Sequence, residues 1–213
     1  MKYIYPILFI ITNIIILILS IPIWIIFQVF KITMPKRVYR NWVTGFCRLW
    51  SKTALWSGGI KYTANGVIPD KVGTLLLSNH QSYIDIYLIL AVLKTQFAFV
   101  VKKTLFYSFP LNLWLYELGC EPFSRKANRK EVARRKKIIE RLKKGDNFII
   151  FPEGTRTHTG IKGEYRKASL NIGKLADANI VFLEIDGSYK LFPRDTIFIR
   201  PGTVKIKFQK NEE

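Results

Sequence analysis

Cysteine and histidine are scarce in this chain, whose 213 residues hold two of each: Cys47 and Cys120, His80 and His158. The cysteines lie too far apart for a metal-ligand spacing and are too few for a disulfide scaffold. Two free thiols in a reducing compartment are therefore expected, and no metal site. With only two histidines, any imidazole-dependent chemistry has few candidates. The nucleophile elbow G-x-S-x-G is missing, and neither cysteine has a setting that activates a thiolate, so covalent catalysis has no evident home. Internal repeats and low-complexity tracts are absent as well. Acidic residues are few, 15 against 34 Lys and Arg, and the net charge of +19 attracts anionic partners of any kind, including nucleic acid, acidic carrier proteins and anionic lipid headgroups.

What is abundant is aliphatic surface at the amino end. No residue from Tyr3 to Phe30 is charged, and Ile and Leu dominate the run. At about 1.5 Å per residue it reaches roughly 42 Å as one helix, more than the ~30 Å hydrocarbon core of a bilayer, so a membrane helix here must tilt, kink or re-enter, with Pro22 the expected kink. The run is too long for a cleaved signal peptide and no A-x-A-like site follows it, which favours a retained anchor. Lys31, Lys36, Arg37, Arg40 and Arg48 crowd its carboxyl side, so the domain that follows is expected on the cytoplasmic face. Tyr39, Trp42, Phe46 and Trp50 then recur at helical spacing among Arg40, Arg48 and Lys52, which fits either an interfacial helix or one packed on the domain core. Residues 1–57 are read as this anchor region and 58–213 as one α/β domain.

Gly58 and Gly59 end the helical pattern. Strand-like apolar runs follow at 60–64, 73–78, 97–101, 147–151, 180–185 and 204–208, with helical patterns at 83–93, 129–144 and 167–178. Alternating strands and helices predict a mixed, partly parallel sheet flanked by helices. The stretch 125–144 is conspicuously basic, either a solvated helix face or a landing surface for anionic headgroups or an acidic carrier protein.

After the second strand the chain reads Asn79-His80-Gln81-Ser82-Tyr83-Ile84-Asp85, a histidine at a strand end and a carboxylate one helical turn on. A histidine can take a proton from an attacking alcohol near neutral pH while a carboxylate on its other ring nitrogen fixes the tautomer. The pair alone is weak, because such spacing arises by chance. The strand at 147–150 runs into Phe151-Pro152-Glu153-Gly154-Thr155-Arg156. There Gly154 permits a tight turn near a ligand, Thr155 offers a hydroxyl, and Arg156 offers a planar fork suited to phosphate.

Together the two motifs resemble the glycerolipid acyltransferase family, which includes the 1-acyl-glycerol-3-phosphate acyltransferases. The resemblance covers roughly residues 60–208. It extends to Gly119-Cys120-Glu121-Pro122-Phe123-Ser124-Arg125, similar to a middle block ending in arginine, and to Lys102-Lys103-Thr104-Leu105, where the family has a lysine-rich segment. Tyr165-Arg166-Lys167-Ala168 is similar to a further segment except that Ala168 replaces a glycine. Ile180-Val181-Phe182-Leu183-Glu184 replaces a proline-valine-proline pattern, which leaves the acceptor open. The resemblance implies acyl transfer from a thioester, acyl-CoA or acyl-ACP, to a hydroxyl of lysophosphatidic acid or a related lysophospholipid, among membrane phospholipids and with no bound cofactor. It implies His80 as base and Asp85 as its orienter, with Arg125, Lys103, Glu153, Gly154, Thr155 and Arg156 contacting substrate. A non-catalytic basic protein binding nucleic acid or anionic lipid leaves both motifs unexplained, so no nucleic-acid partner is expected. A thioester hydrolase is the other alternative.

Overall fold

The computed structural model describes residues 3–67, 69–124, 129–157, 159–196 and 198–210. In chain order the elements are α1 (Ile4–Thr33), α2 (Lys36–Ser57), β1 (Ile60–Asn65), β2 (Thr74–Ser78), α3 (Ile84–Val92), β3 (Ala98–Lys102), a 3₁₀ turn (Lys103–Tyr107), α4 (Leu111–Glu117), β4 (Glu121–Phe123), α5 (Arg129–Lys143), β5 (Phe148–Ile150), α6 (Lys167–Ala176), β6 (Asn179–Asp186), α7 (Ser188–Leu191) and β7 (Gly202–Lys210). The strands form one seven-stranded sheet in the order β1-β7-β6-β2-β5-β3-β4, parallel at every pairing except β6 with β7. The mixed α/β architecture expected from the strand and helix alternation is the one formed.

β2 lies at the middle of this sheet, and its Leu75, Leu76 and Leu77 are all fully buried. A strand covered on both faces reads as a continuous apolar run, not an alternating one. Leu76 faces a cluster built with Val43, Leu55 and Leu88 from α2 and α3, while Leu75 and Leu77 face Ile138, Leu142 and Ile172 from α5 and α6. β6, β2, β5, β3 and β4 run in one direction and end at the same pole, where open α/β sheets bind their ligands, while β1 and β7 run the opposite way.

α1 continues as a helix through Pro22, so the excess length is not taken up by a break there. Proline removes only the hydrogen bond that Ile18 would have accepted, and the flanking turns carry the helix across. It is the one described helix long and apolar enough to cross a membrane. One side of it is nevertheless committed to protein. Asn13 Oδ1 accepts from Trp50 Nε1 at 3.1 Å and from the Tyr87 hydroxyl at 2.8 Å. α2 packs Val43, Cys47, Ala54 and Leu55 inward and leaves Trp42, Leu49 and Trp56 exposed on its outer face.

At the far end of α1, Trp24 Nε1, Gln28 Nε2 and Lys31 Nζ, together with the Tyr39 hydroxyl of α2, all donate to the Glu117 carboxylate at 2.6 to 3.3 Å. Burial pushes this carboxyl up, but the hydrogen bonds from Tyr39, Lys31 and Gln28 outweigh it and hold Glu117 below the usual range. A depressed carboxylate stabilises the fold at neutral pH and loses that contribution as pH falls through its folded value. Glu117→Ala leaves buried donors unmatched and is expected to cost about 2 kcal/mol, roughly 4 to 8 °C in a detergent melt. An unchanged melting temperature would show that this hub does not hold α1.

Candidate active site

His80 lies two residues past the end of β2, and the loop that carries it is fixed by buried polar groups. The Asn79 side chain pairs with the backbone of Ile185 like an extra ladder rung, accepting from its N–H and donating to its carbonyl, both at 2.8 Å. His80 Nδ1 lies 2.9 Å from Asp85 Oδ2. A carboxylate only accepts, so the shared proton sits on Nδ1 and Nε2 is left with the lone pair.

Asp85 is fully buried in the first turn of α3, where the positive end of the helix favours an anion. Its Oδ2 also accepts from the backbone N–H groups of Gln81 at 2.6 Å and Ser82 at 2.8 Å, and its Oδ1 accepts from the Ser188 hydroxyl at 2.6 Å. Four donors leave this carboxylate no room to rotate.

The second motif, 73 residues on, closes around the first. The Phe151 ring stacks on the imidazole with centroids 4.1 Å apart, Glu153 Oε1 accepts from the His80 N–H at 3.3 Å, and the Thr157 N–H donates to the His80 carbonyl at 2.9 Å. Burial raises Glu153 above the usual carboxyl range, and the N–H groups of His80 and Gly163 only partly offset this. Glu153 therefore braces the histidine loop from behind. Gly154 has φ +69°, a left-handed conformation that makes the turn need glycine.

Thr155 Oγ1 and the Arg156 carbonyl both accept from Arg194 Nη1, at 3.3 and 3.2 Å. The Arg156 guanidinium lies 3.6 Å above the centre of the Tyr83 ring, three residues from the histidine. Its Nη1 is enclosed without a hydrogen-bond partner among the described residues. A buried guanidinium nitrogen of this kind is rare unless it awaits an acceptor.

The structure thus brings together His80, Asp85, Glu153, Gly154, Thr155 and Arg156. Lys103 stands elsewhere: it opens the 3₁₀ turn after β3, its Nζ is 5.9 Å from the Tyr107 ring centre, and it lines a shallow pocket with Phe106, Tyr116 and Glu121. No contact among the described residues joins it to His80. Arg125 and His158 lie outside the described residues. Sequence reasoning missed Ser188, Asn79 and Arg194, because a serine after a glycine, a lone asparagine and a loop arginine carry no pattern of their own.

The described geometry has relatives. The profile of a family described as Acyltransferase matches residues 59–185. The chain is 32% identical over 136 residues to a chloroplastic 1-acyl-sn-glycerol-3-phosphate acyltransferase of Arabidopsis thaliana, covering 63% of this chain and 38% of that one. It is 26% identical over 149 residues to a 1-acyl-sn-glycerol-3-phosphate acyltransferase of Borreliella burgdorferi, covering 69% and 60%. The matched region thus spans less than two thirds of these relatives' own length. Among solved structures, the 1-acyl-sn-glycerophosphate acyltransferase PlsC of Thermotoga maritima superposes with a TM-score of 0.82 at 25% identity, covering 98% of this chain and 84% of that one.

Proposed function

The chain belongs to the acyltransferase family, and on that premise we propose that it moves a fatty acyl group from an acyl thioester to the free hydroxyl of lysophosphatidic acid. The observation that carries the reading is the contact between the two motifs: an imidazole with one free nitrogen, set against a loop whose arginine has an unmatched donor.

His80 Nε2 takes the proton of the acceptor hydroxyl as its oxygen attacks the thioester carbonyl. Asp85 holds the ring and stabilises the imidazolium that forms. The thiolate leaves as the new ester forms, and the imidazolium returns the proton to it. Arg156 grips the acceptor phosphate, bidentate geometry being what a guanidinium offers that an ammonium does not. Arg125 is a further phosphate ligand in this reading, and Lys103 a contact for the donor's anionic portion. The thioester arrives on coenzyme A or on acyl carrier protein, and no bound cofactor takes part.

α1 anchors the enzyme in the membrane, where its exposed Ile and Leu face lipid. The cations from Lys31 onward hold the catalytic domain on the cytoplasmic side.

The test supplies isolated membranes carrying the protein with acyl-CoA or acyl-ACP and a panel of lysolipids, and reads products by mass spectrometry. Phosphatidic acid formed from lysophosphatidic acid in preference to every other product is the expected result. Preferred acylation of a different lysolipid moves the acceptor assignment. Thioester consumption that proceeds equally without any acceptor makes the protein a hydrolase.

A further inference from the structure

Ser188 lies in the turn after β6, beyond the stretch that matches the family profile. Gly187 has φ +96°, a conformation that suits glycine, and it turns the chain so that Ser188 begins α7 directly behind the histidine loop. The serine is fully buried, as is Asp85. Its hydroxyl approaches Asp85 Oδ1 to 2.6 Å and stands 3.3 Å from Gln81 Oε1.

The two oxygens of Asp85 are treated differently by the fold. Oδ2 accepts from His80 Nδ1 and from two backbone N–H groups, and those two would survive any side-chain substitution on the histidine loop. Oδ1 has the Ser188 hydroxyl. A buried carboxylate oxygen without a donor rotates to find one, and that takes the remaining oxygen out of line with the imidazole. A second bond ties the same turn to the same loop: the Ser82 hydroxyl donates to the Phe192 carbonyl at 2.7 Å.

We infer that Ser188 is a positioning residue for acyl transfer: its hydroxyl holds the Asp85 carboxylate in orientation, and through Asp85 it aims His80 Nε2 at the acceptor. The inference rests on His80 as the base. It makes the working unit a chain of three side chains, His80, Asp85 and Ser188, whose last link comes from a part of the sequence remote from both motifs.

Ser188→Ala is expected to lower kcat by about 10- to 100-fold, the loss of one hydrogen bond to a buried charge, with the acceptor KM unchanged. Ser188→Thr and Ser188→Val have the same shape and differ in the hydroxyl, so Thr should exceed Val by about the same factor. In a His80→Ala background the serine has nothing left to aim, and Ser188→Ala should change the residual rate by less than about twofold. Wild-type kcat in Ser188→Ala, equal activity of the Thr and Val variants, or an equal further loss in the His80→Ala background each overturns the inference. If His80→Ala itself retains turnover, the dyad reading fails first; if His80→Ala is impaired and Ser188→Ala is not, the inference alone fails.

Discussion

His80→Ala lowers kcat by about 10² to 10⁴, the range for loss of a positioned general base, and leaves the protein in the membrane fraction. The size of the expected loss follows from how completely the imidazole is prepared. Its Nδ1 is committed to a buried carboxylate and its face to Phe151, so the ring has one orientation and one working nitrogen. No neighbouring group offers a substitute, because the Asp85 oxygens are occupied and Glu153 faces the loop backbone. When the imidazole is removed, Asp85 Oδ2 keeps its two backbone donors. Turnover at the wild-type rate in this variant removes His80 from the chemistry. Release from membranes together with lost turnover shows instead a failure of the fold.

Arg156→Ala raises the acceptor KM, with a loss in kcat/KM of about 10- to 150-fold, equivalent to the roughly 1.5 to 3 kcal/mol of a hydrogen bond to a charged group. Arginine is needed here for its shape as much as for its charge. The guanidinium plane rests on Tyr83, which fixes the fork and directs the enclosed Nη1, and an ammonium has no plane to stack. Arg156→Lys therefore recovers only part of the loss. Tyr83 is half exposed, so the stacked pair stands at the rim where a headgroup enters. If the acceptor KM does not move in either variant, the phosphate is held elsewhere, with Arg194, which reaches the Arg156 carbonyl from the loop after α7, the next guanidinium to test.

Much of this was legible before any coordinates. The six strands expected from apolar runs all form, within a residue or two at each end, since runs such as Thr74 to Ser78 are buried on both faces and carry no competing pattern. β4 was missed: three residues with a proline at the centre do not make a strand signal, and its place on the sheet edge comes from pairing with β3. α4 and α7 were missed because seven and four residues are too short to show a period. The helix with Trp42 and Trp50 fitted two settings in sequence, and it packs on the core with one aromatic face left outward. In the site, the motif residues were readable because each has a chemical role. Ser188 and Asn79 were not, because they act through hydrogen bonds whose partners lie more than a hundred residues away.

The Phe9 ring of α1 meets both Tyr87 and Phe192, edge to face, at 5.8 and 6.2 Å. Phe192 is the residue whose carbonyl receives the Ser82 hydroxyl, three positions before Asp85. The amino-terminal helix is therefore not an interchangeable tether. A borrowed segment of equal length and greasiness could match its affinity for lipid, yet it would bring neither Phe9 nor Asn13 to the wall that steadies the acid–base pair. In this chain the first helix and the His80 loop share one wall, so a change in either is felt by the other.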